Sequence, residues 1–457
     1  MTRIICNLLL TFSLFILSCK SPTSPPTNIS QQGNNNTDPI GAHTDNWNSP
    51  LVTDLNNIIH KLDGASPSLS NDDLQPLAWL SHTKIVGLGE ATHGTKEFFQ
   101  MKHRIFKYLV ENYGFKALAI EADMGESIYI DRYVTDGEGN LETLMKTKMH
   151  FWTWRTKEVE ALLEWMRQYN TGKSESEKIH YIGVDCQYMT YQPDLILEYF
   201  NKVKPDFIST ITPYLDMLKN MHNNNPAELY NYYSTITDGR KQEIADSLNE
   251  MLTKIEGIQN ELISKSSEFE YNTIKQLTIN LIQANDEIYY YGIRDKYMAD
   301  NALWASNLFG EKQKIVLWAH NWHVSNSIYR MGNFLKTSLL EDYQIVGFSF
   351  SKGYFMAMTI SNGVLHYNVE KQLLNTPPVG GSLNYIFYNA KYDNFILRTL
   401  DINGSSELGT FVSTFRPFIL ITSAYGGDPS YFYENIFLKN NFDVIINYDI
   451  TSAAEQL

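Results

Sequence analysis

From about residue 84 onward, short apolar runs alternate with longer amphipathic stretches. Ile85-Val86-Gly87-Leu88 is apolar throughout, as a strand buried on both faces must be. Glu97 to Asn112 carries Phe98, Met101, Ile105, Tyr108 and Leu109 near helical spacing, so it predicts an amphipathic helix, and Gly114 suits its C-terminal cap. Further strands are predicted at Ala117–Ile120, Ile179–Val184, Ile315–Ala319 and Ile345–Phe350, with a helix over Val159–Tyr169. Phe418–Ile421 and Val444–Ile446 look like two more strands. Strands alternating with helices imply right-handed crossovers and a mainly parallel sheet covered on both faces. The expected fold is therefore α/β, a three-layer α/β/α arrangement. Between residues 193 and 308 the strand signal stops, and helical stretches such as Lys241–Ser264 and Tyr271–Phe309 take over. This reads as a helical insertion or cap, which divides the α/β core into a first part at 49–192 and a second at 309–457. No internal repeat is found.

Composition and the N-terminus add a location. The chain has 457 residues with 51 acidic and 37 basic side chains, a net charge of −14. A phosphate backbone needs a basic footprint, so nucleic acid is disfavoured as a partner. Arg3 is followed by an apolar run, Ile4 to Leu17, too short for a comfortable membrane span. It ends in Ile16-Leu17-Ser18-Cys19, which resembles a bacterial lipobox. Residues 1–18 are then a lipoprotein signal peptide, Cys19 carries the lipid, and 19–48, rich in Pro, Ser, Asn, Gln and Gly, is a tether unable to bury a core. The expected location is the bacterial cell envelope, outside the cytoplasm, with the membrane as a partner through the N-terminal lipid only. Once the leader is removed, Cys186 has no partner but Cys19, which excludes a disulfide framework and a cysteine cluster for zinc.

The candidate chemistry follows the strands. The first runs into Gly89-Glu90-Ala91-Thr92-His93-Gly94, the second into Glu121-Ala122-Asp123, the third into Asp185, and the fourth into His320-Asn321-Trp322-His323. Ligands of open α/β sheets bind outside the carboxyl ends of strands, so ionisable residues after four of them point to a shared crevice. Glu90-x-x-His93 couples a carboxylate to an imidazole, a general-base unit in which the carboxylate fixes the tautomer and stabilises the imidazolium. No G-x-S-x-G elbow and no H-E-x-x-H occurs, which argues against a serine α/β-hydrolase and a zincin. Cys186 follows Asp185 without a motif of its own. Without a nucleophile, the simplest chemistry is attack by a water that the histidine deprotonates. A second reading is a divalent metal held by Glu90, His93, Glu121, His320 and His323, whose side-chain types suit one; the first reading needs no cofactor.

These residues, taken with Glu97-Phe98, Gly114-Phe115, Phe151-Trp152-Thr153-Trp154-Arg155-Thr156, Gly183-Val184-Asp185, Arg294-Asp295, Met298-Ala299, Trp318-Ala319-His320-Asn321-Trp322-His323 and Phe442-Asp443, resemble the erythromycin esterase family. The resemblance implies an α/β/α core with a helical insertion, and opening of a macrolide lactone by activated water. It places the general base on His93, its supporting glutamate on Glu90, a second acid on Glu121 and the histidine of the W-A-H-N motif on His320. Where the family often carries an arginine after the histidine, this chain has Lys102, with Arg104 two residues on. A lysine cannot copy a planar bidentate contact. The expected reading is a hydrolase of a small-molecule ester or lactone, with Lys102 or Arg104 supplying a cation to the developing oxyanion. Trp154, Arg155, Asp185 and His323 join them as candidate substrate contacts, although Trp154 also suits simple packing and Arg155 and Arg294 suit pairing with buried acids. The competing reading is a surface lipoprotein that binds a ligand or metal without turnover.

Overall fold

The computed structural model describes residues 49–218, 234–289 and 292–457. The expected leader, Cys19 and the tether fall outside them. The fold is mixed α/β, and the chain forms two compact units, each discontinuous in sequence. One, here the sheet unit, comprises residues up to Phe115, Trp152–Leu163 and Lys314–Leu457; the other, the helical unit, comprises Lys116–Phe151 and Glu164–Gln313.

In the sheet unit, six strands lie in the order His60–Lys61, Asn394–Arg398, Val444–Thr451, Tyr343–Ser361, Ile85–Leu88 and Ile315–Trp318. Its centre is parallel: Leu88 pairs with Trp318 on one side and Val346 on the other, and Val346 pairs with Val444. The Asn394–Arg398 side is antiparallel. Every residue of Ile85–Leu88 and Ile315–Trp318 is buried, which is why both read as unbroken apolar runs. The helix Lys96–Tyr113 buries Phe98, Phe99, Met101, Ile105, Phe106 and Leu109, and Gly114 closes it at φ 69°, a left-handed position that suits glycine.

The strand expected at Ile345–Phe350 is much longer. It runs from Tyr343 to Ser361 and turns back into Val364–Leu374 as an antiparallel hairpin. Asn362 and Gly363 stand at φ 51° and 74°, the two positive values that an Asn-Gly hairpin turn requires.

The helical unit holds a parallel pair, Ala117–Asp123 beside His180–Asp185, and its described residues from Gln192 to Leu308 form no strand. Two of its expected helices are each broken in two. Lys241–Ser264 divides into Asp238–Glu256 and Gln259–Lys265 at Gly257-Ile258, and Tyr271–Phe309 divides into Glu268–Tyr289 and Arg294–Leu308. Gly292, at φ 100°, stands in the second break, where no L-residue continues a helix. Leu195, Phe200, Leu248, Met251, Leu277 and Leu281 form the core of this unit. Among the described residues no helix is long and apolar enough to cross a membrane.

Candidate active site

In the sheet unit the loop after Ile85–Leu88 is pressed between two neighbours, and this explains the glycines that bracket it. A Cβ on Gly89 would stand 2.1 Å from Asn321 Oδ1, and one on Gly94 would stand 2.2 Å from the Met356 carbonyl oxygen. Neither glycine has the positive φ of a tight turn; both are required by close approach. Asn321 serves as a clamp: its Nδ2 donates to the Phe348 carbonyl at 2.7 Å, and its Oδ1 accepts from the Phe348 N–H at 3.0 Å. The loop is tied again where Asn321 N–H donates to the Glu90 carbonyl at 2.8 Å and Ile421 N–H to the Ala91 carbonyl at 2.8 Å.

This scaffold buries the Glu90 carboxylate completely and surrounds it with donors. Glu90 Oε2 accepts from Lys102 Nζ at 2.5 Å and from Trp318 Nε1–H at 2.7 Å. Glu90 Oε1 lies 2.7 Å from His93 Nδ1. A carboxylate only accepts, so Nδ1 carries the proton and His93 Nε2 keeps its lone pair. Nε2 bonds to no described residue, and His93 is 9% exposed. Lys102 is itself fully enclosed, with its ammonium 4.3 Å from the centre of the Trp318 ring, a favourable cation–π position.

The ring of His320 lies 4.9 Å from that of His93. His320 caps the short helix Asn321–Val324: its Nδ1 accepts from Trp322 N–H at 3.2 Å. Its Nε2 therefore bears the proton, and it faces the Ile421 carbonyl at 3.2 Å. Thus His320 is held with both ring nitrogens engaged, whereas His93 is anchored through one. His320 and Trp322 line a cavity of about 470 Å³ that Ile360, Leu420, Tyr431 and Phe432 help to close, within the size range of small-molecule sites, about 300–1,000 Å³. His323 is buried on the same short helix.

The other expected site residues fall in two groups. Arg104 is committed elsewhere: it pairs with Asp73 and donates to the Gly64 carbonyl at 2.9 Å and to the Ser70 carbonyl. It ties down the segment before the first strand, which replaces the expected role of an oxyanion cation. Lys102 departs from that role too, because its charge is matched by Glu90. Trp154 is buried and packs against Phe99 and Trp318 at ring distances of 6.4 and 5.5 Å, so packing is its observed role. Arg155 is half-buried, and its carbonyl receives the Leu457 N–H at 3.1 Å.

In the helical unit, Glu121 and Asp185 share Arg294. Its Nε and Nη2 donate to the two oxygens of Asp185 at 2.8 and 2.7 Å, and Nη2 also reaches Glu121 Oε1 at 2.9 Å. These carboxylates hold the guanidinium charge far above its ordinary range, against the pull of burial. Cys186 is fully buried, and burial first, then Asp185, pushes its thiol well above the usual value, which leaves it a poor nucleophile.

Among the described residues, no group of three or more His, Cys, Asp or Glu side chains is arranged to hold a metal ion. The donor chemistry at Glu90 explains its part: an ammonium and an indole N–H occupy the oxygen that a cation would need. The expected set of Glu90, His93, Glu121, His320 and His323 therefore does not fit a metal as it stands.

The sequence assigns no role to Trp318 or Asn321, although both stand in the W-A-H-N motif. No local pattern distinguishes an indole that donates to a carboxylate from one that fills a core.

The chain matches the erythromycin esterase family over residues 110–451. It belongs to the erythromycin esterase family. The matched span begins after Glu90 and His93, so membership and the geometry of that pair are independent observations. Erythromycin esterase type II of Escherichia coli is 25% identical over 319 residues, covering 64% of this chain and 75% of that one. A crystal structure of a Bacillus cereus protein superposes with a TM-score of 0.78 at 27% identity, covering 89% of this chain and 98% of that one. A mutant of the erythromycin esterase EreC in its open conformation gives 0.62 at 16% identity over 86% and 97%, and at that distance it shows the fold. Membership of this family supports a hydrolase.

Proposed function

We propose that this erythromycin esterase family member opens an ester or macrolide lactone with a water activated by His93. The observation that carries the reading is the buried Glu90 carboxylate at 2.7 Å from His93 Nδ1, with Nε2 bonded to no described residue. Nε2 takes a proton from water as the oxygen attacks the carbonyl carbon. Glu90 stabilises the imidazolium, and hydrogen bonds from Lys102 and Trp318 hold Glu90 in place. The tetrahedral intermediate collapses by breaking the bond to the alkoxy oxygen, which receives the proton back from His93. The products are an alcohol and a carboxylic acid, which releases its proton to solvent; from a lactone both groups stay on one molecule. A positioned base of this kind contributes roughly 10²–10⁴-fold.

Glu121 and Asp185 have no step in this scheme, since Arg294 engages both. The test is hydrolysis of a panel of simple esters and macrolides by wild type and His93→Ala. The expected outcome is turnover of at least one member by wild type and a loss of at least about 100-fold in kcat, with the thermal midpoint retained. A fully active His93→Ala protein would remove the mechanism. A wild type that turns over nothing yet binds a macrolide would favour the non-catalytic reading.

A further inference from the structure

The helical unit carries a second cavity, of about 480 Å³ and open to solvent on one side, that the proposed reaction does not use. Its walls come from the helices Met124–Asp136, Gln192–Val203, Glu268–Tyr289 and Arg294–Leu308 and from the strand His180–Asp185. Leu195, Tyr199, Ile274, Leu277 and Trp304 line it, and the first four are at most 7% exposed. They belong to the core of this unit and give the cavity an apolar floor, whereas Glu175, Glu198 and Lys202 on its rim are exposed. An apolar body of matching size gains dispersion contacts on that floor.

One polar group gives the cavity a direction. His180 Nδ1 lies 3.0 Å from Asp131 Oδ2, and the other Asp131 oxygen accepts the Tyr181 N–H at 2.8 Å. The His180 ring stacks on Phe309 with centroids 4.7 Å apart. With Nδ1–H given to the carboxylate, Nε2 offers a lone pair and bonds to no described residue. His180 lines the cavity, so that lone pair is a fixed acceptor for a ligand's N–H or O–H. The lining also carries five carboxylates, Asp131, Asp136, Glu175, Glu198 and Glu270, against the cations Arg132 and Lys202. Lys178 bridges Asp136 at 2.9 Å and also contacts Glu175, yet negative charge remains in excess. The faces of Tyr199, Phe269 and Trp304 attract positive charge as well.

We infer that this cavity binds a small amphipathic amine, its apolar body among Leu195, Ile274 and Leu277 and its ammonium donating to His180 Nε2. The site shares no residue with the proposed reaction and does not depend on it. Calorimetric titration of the full chain with octylamine, octanol and octanoate near neutral pH tests it. Octylamine should bind saturably and about tenfold or more tighter than octanoate, about 1.4 kcal/mol. Ile274→Trp, which fills the cavity, should weaken octylamine at least about tenfold. Thr273→Trp, at a half-buried position, does the same job should Ile274→Trp fail to fold. His180→Phe, which removes the acceptor, should narrow the preference for octylamine over octanol. Absence of saturable octylamine binding, octanoate binding as tightly as octylamine, or an unchanged affinity in the folded tryptophan variants would overturn the site.

Discussion

In the sheet unit the buried Glu90 meets a lysine; in the helical unit the buried Asp185 meets an arginine. Lys102 is a point charge and takes one oxygen of Glu90, which leaves the other for His93. Arg294 is a planar fork; it takes both oxygens of Asp185 and one of Glu121. A fork occupies both carboxylate oxygens, whereas a single ammonium leaves one oxygen for His93. Lys102 thus leaves half of Glu90 to His93.

The largest effect should come from removing the fork. Arg294→Met takes the guanidinium from two buried carboxylates, while Lys102→Met takes the ammonium from one. Breaking a buried pair costs about 3–5 kcal/mol because the remaining charge is uncompensated. Arg294→Met should therefore lower the denaturation midpoint more than Lys102→Met, and Arg294→Lys should recover only part of the loss because an ammonium cannot span both acids. A Lys102→Met protein less stable than Arg294→Met would break the comparison.

Next in size is the separation of charge from catalysis at Glu90. Glu90→Gln alone takes from the buried Lys102 the carboxylate charge that it bonds, so stability and activity should both fall. Glu90→Gln combined with Lys102→Met removes both charges, and replacement of a buried ion pair by neutral groups is often nearly neutral for stability. The double variant should regain most of the denaturation midpoint lost by Glu90→Gln while ester hydrolysis stays at least about 100-fold down. Hydrolysis recovering along with stability would show that Glu90 serves only the fold.

The two units also differ in how far their sequence disclosed them. Ile85–Leu88 and Ile315–Trp318 are buried on both faces, and that condition writes itself as an apolar run with an ionisable loop behind it. The pairing of Glu90 with His93 was legible for the same reason, since three residues of a tight loop bring them together. What Lys102 and Arg104 do was not. They lie two apart on one helix, which turns them to different faces, and only their partners, Glu90 for one and Asp73 for the other, tell them apart. The hairpin strand Val364–Leu374 was not expected: most of it is exposed, so periodicity says little, and the Asn362-Gly363 turn was its one local sign. The broken helices of the helical unit follow the same logic, because breaks at Gly257-Ile258 and near Gly292 leave the apolar spacing on either side almost intact.

The smallest effect concerns a third buried acid, one whose hydrogen bonds include neither lysine nor arginine. Asp123 is fully buried at the start of the helix Met124–Asp136, where Oδ1 accepts from the Gly125 and Glu126 N–H groups at 2.9 and 3.3 Å. Gln192 Nε2 lies 3.2 Å from each of its oxygens. Burial pushes its carboxyl up from 3.8 to about 7, with His150 opposing the rise. The folded chain therefore keeps a proton that the unfolded chain releases above about pH 4. The sign follows: the contribution is fully present below that pH, declines as pH rises towards 7, and is gone above it. Asp123→Asn keeps the acceptor at Oδ1 and has no proton to lose. Relative to wild type it should gain on the order of 2 kcal/mol between pH 5 and pH 8, since each tenfold change in proton affinity is worth about 1.4 kcal/mol. Denaturation of both proteins at the two pH values measures this, and an equal difference at both would mean that Asp123 is ionised in the fold without a lysine or an arginine. That result would remove the premise of the comparison, that a buried acid of this protein with no lysine or arginine bonded to it holds its proton well above the usual carboxylate range.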